Sequence, residues 1–498
     1  MEQTVILILG GYGGVGRSLS RLVLRETDAE VVVAGRRKEK AQEFAQALRK
    51  EFSDSSVSAR YADASDPKSL VEAYRGVDMV LVTATTPQYL HQIALTALGA
   101  GCDYLDILVQ QNTIPQLRAL SSEIAKAGRV FITQAGFHPG LPAVFIRYAA
   151  QHFDDYRKAL IGMAMNARFE KPESSHEIIH EVGESNAEIY QEGRWRKANY
   201  KDAIKVDFGS RFGIRTCFPL QMEEIRELPQ TLGIGETGVY VAGFNWFVDN
   251  IVFPLIIVFQ KIKKGMGLNA LGTLMYWGVN TFSSPDLGVV FLLDAEGVKG
   301  GKNLRVKIIA EHDDTFLFTS APVVACLRQY LDGSLTKPGL WFMGTMVDDS
   351  RLMEDMKQMG IKIKTEAGRS ALLAQPHHFC YLLVVVRLGV LLRQVVSAGQ
   401  ERTSLLHVPE PCYQILQLSP GNGEYHLLIP GHGAVVIAST GNSNLALFVQ
   451  NCRNHTVHTC GMTGEVAGKA VAILPFPGQE EQTQLSPITV NHRYVWFK

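Results

Sequence analysis

Leu9-Gly10-Gly11-Tyr12-Gly13-Gly14-Val15-Gly16 is the stretch on which the fold turns. Gly11, Gly13 and Gly16 fit G-x-G-x-x-G, and Gly10, Gly13 and Gly16 also fit the related G-x-x-G-x-x-G spacing. One such glycine permits a tight turn, another lets backbone approach a pyrophosphate, and the last allows close helix–strand packing. The apolar run up to Leu9 reads as a buried strand, and Val15, Leu19, Leu22 and Val23 recur at helical spacing behind the turn. A dinucleotide's phosphates would rest on the new helix's N-terminus, where free N–H groups and the macrodipole favour negative charge.

Working outward, strand and helix patterns alternate as far as Thr133. Six short Val/Ile/Leu-rich runs are predicted as strands: 4–9, 30–34, 56–61, 79–83, 102–107 and 130–133. Continuous apolar runs mean strands buried on both faces, as in a parallel sheet covered by helices. The fold class predicted is therefore α/β, a Rossmann-type doubly wound sheet over residues 1–136.

The segment after the second strand indicates the cofactor. An NAD-binding domain places an acid there to accept the ribose 2′-hydroxyl. This chain has Gly35-Arg36-Arg37-Lys38, with no acid until Glu39. Guanidinium groups bind a 2′-phosphate and a carboxylate would repel it, so NADP(H) is expected. Asp63, after the third strand, is placed either to meet the adenine region or to serve the nearby helix start. Ala84, Thr85, Thr86 and Pro87 follow the fourth strand at the carboxyl edge, where a dinucleotide crosses.

Beyond Gly136 the pattern changes to an α+β second domain, residues 137–366, expected to shape the substrate pocket and to serve a homodimer. A third zone, residues 367–498, contains no Asp and is rich in His and Cys; it reads as β-rich or poorly ordered. There, Cys452, His455, His458 and Cys460 lie too close together for one tetrahedral site, and nothing fixes Cys412 and His407 beside them, so no metal is expected. Lys plus Arg and Asp plus Glu balance at 49 each, which excludes a nucleic-acid partner read from net charge. Seven scattered Cys suit a reducing compartment, and the absence of a basic n-region before Val5 suits a cytoplasmic protein. The aromatic and aliphatic stretch from Phe244 to Phe259, followed by Lys261, Lys263 and Lys264, reads in two ways. It is a buried helix ending in lysines, or a surface in peripheral contact with a membrane.

Residues 1 to about 360 resemble the saccharopine dehydrogenase-like oxidoreductases. The resemblance rests on the glycine turn, Ala34 to Arg37, Ala97 to Asp106, Ala127-Gly128 with Ala135 to Gly140, and Thr319 to Pro322. It implies hydride transfer at a C=N or C=O carbon of a small-molecule or lipid-like substrate, and some members are associated with lipid surfaces. Members acting on amino acids carry Asp in the turn where this chain has His138, which points away from an amino-acid substrate. His138 and Asp106 lie on the expected edge as acid–base candidates, though each has a structural reading as well. The alternative reading is a non-catalytic NADP-binding scaffold or lipid-surface protein.

Overall fold

The computed structural model describes residues 3–169, 172, 175, 176, 178, 179, 187–263 and 265–369, and seven further strands between Leu416 and Ile473. Residues 1–373 form one compact unit and 374–498 a second.

The first unit opens with β1 (Val5–Leu9), α1 (Gly14–Glu26), β2 (Glu30–Gly35), α2 (Lys38–Glu51), β3 (Val57–Tyr61), α3 (Pro67–Ala73), β4 (Met79–Val82), α4 (Leu90–Gly99), β5 (Asp103–Asp106) and β6 (Val130–Thr133). All six strands run parallel, in the order β6-β5-β4-β1-β2-β3. Ile6 to Ile8, Val31 to Ala34 and Val80 to Val82 are fully buried, as a sheet covered on both faces requires. A seventh parallel strand, Gly339–Phe342, joins beside β6. It comes from far down the chain, where no alternation announced it. The helix before it, Thr315–Leu331, lies against α1 and carries Pro322 inside. The chain thus returns to the first sheet after leaving it at Gly136.

Between these two passages lies a mixed sheet. Its order is Ile204–Asp207, Ile214–Leu220, Glu236–Ala242, Asp155–Asn166, Gly288–Lys299, Lys302–His312 and Lys362–Arg369, with Glu188–Gln191 and Arg194–Lys197 to one side. Helix Leu141–Ala149, almost wholly apolar, packs its buried residues into the core shared by both sheets.

The Phe244–Phe259 stretch has two faces. Val248, Val252 and Ile256 are buried with Leu268, Leu271, Met275 and Val279, whereas Trp246, Ile251, Val258, Ile262 and Trp277 are exposed. Among the described residues no helix is long and apolar enough to cross a membrane.

The second unit has five antiparallel strands, Leu416–Leu418, Glu424–Ile429, Gly433–Thr440, Asn444–Asn451 and Thr456–Cys460, and a hairpin of Met462–Glu465 with Lys469–Ile473. Cys452, His455, His407 and Cys412 lie outside the described residues.

Candidate functional site

The β1–α1 turn is built as the glycine spacing requires. Gly10 adopts φ 90°, and a Cβ there would come within 2.8 Å of the Ala84 nitrogen. A Cβ on Gly16 would lie 2.3 Å from the Gly10 carbonyl oxygen, so α1 can seat on the turn only with glycine at that point. Gly11 N–H donates to the Ile8 carbonyl at 3.1 Å and Gly13 N–H to the Gly10 carbonyl at 2.9 Å. Helix α1 then begins at Gly14 with no side-chain cap and no acid in its first turn. The first N–H groups of a helix have no intrahelical partner, and no side chain among the described residues caps them. An anion's oxygens fit there.

That N-terminus opens on a cleft of about 690 Å³. Tyr12, Gly13, Gly14, Arg17, Arg37 and Lys40 line one wall and Asp314, Phe316 and Leu317 the other. Tyr12 organises the near wall. Its ring lies on Gly35, where a Cβ would sit 2.5 Å from ring carbon, and its hydroxyl accepts the Arg37 N–H at 3.0 Å. Arg17 Nε donates to the Tyr12 carbonyl at 2.8 Å while its guanidinium covers the Phe44 ring at 4.8 Å. Arg21 and Arg25, farther along the cleft, are paired with Glu51 and Glu26. No ion pair holds Arg17, Arg36, Arg37 or Lys40 among the described residues.

The residues expected to meet the adenosine half separate in the structure. Arg37 lines the cleft, whereas Arg36 stands near Asp63. Two hydrogen bonds from Ser65, with the Arg36 charge adding to them, hold the Asp63 carboxyl below its usual range. The helix start near Asp63 is capped by Asp66, which accepts the Lys68 N–H at 3.0 Å. At the β4 edge Ala84 N–H and the Thr83 hydroxyl both donate to the Leu9 carbonyl, at 3.1 Å each, tying that edge to the glycine turn. Thr85 is exposed, Thr86 N–H donates to the Ala84 carbonyl, and Pro87 opens a short 3-10 turn.

At the far edge the two acid–base candidates differ. Asp106 is fully buried, and its carboxylate accepts the N–H groups of Leu108 and Gln134 and the Thr133 hydroxyl. Those bonds fasten β5 to β6, and burial still raises its pKa. His138 packs on Phe137 with ring centroids 4.1 Å apart, and its Nδ1 has no partner. Burial lowers its pKa to about 4, so its imidazole is neutral at pH 7. Close by, Glu224 reaches in from the second sheet's connections and accepts the Gly140 N–H at 2.8 Å.

Sequence reading missed several residues. Arg17 had a signal, being one residue past Gly16 in the same first turns of α1. Phe316 had none in the glycine region, whereas Thr319 belongs to the Thr319 to Pro322 segment of the resemblance, without a role assigned to it. Phe316 lies against Gly14, where a Cβ would meet its ring at 2.7 Å, and Thr319 stands 3.9 Å from a Cβ built on Gly136.

Residues 6–132 match the family described as the saccharopine dehydrogenase NADP binding domain. The chain is 22% identical over 397 residues to the carboxynorspermidine synthase of Vibrio cholerae serotype O1, covering 70% of this chain and 94% of that one. It is 28% identical over 396 residues to the carboxynorspermidine synthase of Vibrio alginolyticus, with the same coverage of 70% and 94%. Among solved structures, the apo saccharopine dehydrogenase (L-Glu forming) of Saccharomyces cerevisiae superimposes with a TM-score of 0.56 at 15% identity, over 73% of this chain and 100% of that one. That likeness shows the fold.

Proposed function

We propose, from an N-terminal domain of the saccharopine dehydrogenase NADP-binding type, that this chain is an NADP(H)-dependent oxidoreductase acting at a C=N carbon. The observation that carries the reading is the uncapped, acid-free start of α1 beside the unpaired cations Arg17, Arg37 and Lys40. Helix dipole and exposed amides favour the pyrophosphate, and the cations favour a further phosphate beside it. When bound, NADPH supplies the hydride. The chain's own residues hold it: Gly13, Gly14 and Val15 at the pyrophosphate, and Arg36 and Arg37 toward the 2′-phosphate. Neutral His138, at the β6 edge, is suited to hydrogen-bond the substrate rather than to carry charge. The curated relatives are named for making carboxynorspermidine, an amine, which favours C=N over C=O.

The cofactor reading is tested by titrating NADPH and NADH separately. Changing Arg36 and Arg37 to alanine together is expected to weaken NADPH by about 1–3 kcal/mol, the range for hydrogen bonds to charged groups, and to leave NADH unchanged. Equal loss for both cofactors would mean the pair supports the fold and reads no phosphate. Turnover of NADPH with imine substrates separates an enzyme from a scaffold that merely holds the cofactor.

The exposed aromatic face supports a contact with anionic lipid within the same reading. Trp246 and Trp277 are 59% and 50% exposed, and Ile251, just before helix Phe253–Ile262, is exposed as well, with Val258 and Ile262, one turn apart on it. Residues 250–285 contain three lysines and no acid. Apolar burial plus attraction to anionic headgroups is the physics of an interfacial helix. The full chain is expected to float with phosphatidylserine vesicles, and W246S/W277S to stay in the soluble fraction. Equal flotation of the two proteins would remove this contact from the proposal.

A further inference from the structure

Residues 134–138 carry the chain out of β6 at the carboxyl edge of the first sheet. Gln134 is held there at φ 56°, in the left-handed region, and is 1% exposed. Its backbone N–H is bonded to Asp106, but among the described residues neither Nε2 nor Oε1 of its side chain has a partner. Left-handed backbone is unfavourable for a residue with a Cβ, and a buried amide without hydrogen bonds is costly. Both penalties fall on one side chain, a pattern that gathers at ligand-binding positions. Three further buried atoms without a partner among the described residues lie at or against the neighbouring turns: Gln110 Oε1, after β5, His138 Nδ1, and Oε2 of Glu224, whose Oε1 accepts the Gly140 N–H.

At neutral pH this group carries no charge, since burial raises the Glu224 carboxyl to about 8 and keeps it protonated. An amide with donor and acceptor, a second amide oxygen and a neutral imidazole suit a neutral polar ligand, not a carboxylate or phosphate. Helix Thr315–Leu331 runs past both places: the Phe316 ring lies against Gly14, and Thr319, nearly one turn on, stands 3.9 Å from a Cβ built on Gly136. In the strand order β6-β5-β4-β1 the β6 turn lies three strand spacings, about 14 Å, from the glycine turn, on the β4–β6 side that faces away from Arg36 and Arg37.

We propose that the Gln134 side-chain amide binds the carboxamide of the cofactor's nicotinamide and so positions the ring. The inference rests on the NADP(H) reading above. A carboxamide offers one N–H₂ and one C=O, and Gln134 offers the reverse pair, so two antiparallel hydrogen bonds form. The Gln110 carbonyl oxygen is available to the ligand's second N–H.

The test compares wild-type protein with Q134G and Q134L in binding titrations of three compounds. These are NADPH, its 3-acetylpyridine analogue (acetyl replacing the carboxamide) and 2′,5′-ADP, which lacks the nicotinamide half. Q134G is expected to bind NADPH about tenfold more weakly, the equivalent of about one net hydrogen bond. Its affinity for 2′,5′-ADP is expected to be unchanged, and wild type's preference for NADPH over the acetyl analogue to vanish in both variants. Thermal melting is the second readout. Glycine takes φ 56° freely and removes the unpartnered amide, so Q134G is expected to melt no lower than wild type. A Q134G protein that keeps the preference for the carboxamide, or that loses 2′,5′-ADP along with NADPH, would overturn the proposal. Failure of wild type to bind 2′,5′-ADP at all would sink the cofactor reading itself, and this inference with it.

Discussion

Gly13→Ala is expected to leave the fold intact and to cost about 1.5–3 kcal/mol of NADPH binding, whereas Gly16→Ala is expected to damage both. The two positions differ in what a methyl group would meet. At Gly13 the backbone is extended, at φ −73° and ψ 176°, which alanine adopts freely, and the only neighbour is the Gly10 carbonyl oxygen at 3.1 Å. The methyl therefore enters the cleft, where the pyrophosphate must approach backbone N–H groups. At Gly16 the methyl would stand 2.3 Å from the Gly10 oxygen and 2.8 Å from the Gly11 Cα, both backbone atoms that cannot swing aside. Helix α1 would have to lift from its turn, at roughly 1–3 kcal/mol for overpacking of this kind. Cofactor affinity would fall by roughly two orders of magnitude as two charge-assisted bonds lose their geometry. Calorimetry with NADPH and melting of both variants check the pair. Undiminished NADPH affinity in Gly13→Ala would show that no phosphate rests on this turn.

Glu224 yields the second large effect, and its sign follows from burial. Enclosure raises this carboxyl from 4.5 to about 8, although the N–H groups of Gly140 and Ala143 oppose the shift. Its Oε2 has no partner. The folded protein thus keeps a proton that the unfolded chain releases above pH 4.5. The stability tied to that proton is fully present below pH 4.5 and is lost as the pH rises toward and through 8. His138 works in the opposite direction, since a histidine lowered to about 4 favours the fold as pH rises from 4 to 6.5. Between pH 6.5 and 8 the Glu224 contribution stands clear of it. Glu224→Gln keeps an acceptor for Gly140 and cannot ionise. The variant is expected to gain on the order of 2–4 kcal/mol over wild type at pH 8 and to lack wild type's decline across that window, one pKa unit being about 1.4 kcal/mol. Parallel unfolding curves at pH 6.5 and 8 decide it. The same decline in both proteins would assign the pH dependence to another group.

Local rules made the Rossmann half legible. A strand buried on both faces shows as an unbroken apolar run, and a turn with no room for a Cβ shows as glycine, so β1 to β6 and the pyrophosphate turn could be read directly. The basic pair Arg36 and Arg37 was equally visible, because the absence of an acid after β2 is a one-residue signal. Tertiary structure was needed wherever the reason for a residue lies far along the chain. Strand Gly339–Phe342 completes the first sheet from more than 200 residues beyond β6. Phe316 and Leu317 form the far wall of the cleft beside α1 from a helix whose own pattern says only that it is apolar. Asp106 looked like a candidate acid, and only the meeting of β5 with β6 shows its carboxylate occupied by three donors.

Sequence alone determined where the first strand turns into its helix without room for a Cβ and which charges follow the second strand, because both depend on neighbouring residues and the local path of the backbone. The tertiary structure alone decided which buried polar atoms lack partners among the described residues, the side-chain amide of Gln134 and Oε2 of Glu224 above all. Burial and pairing are properties of the surroundings, and those surroundings are assembled from segments that no local pattern links.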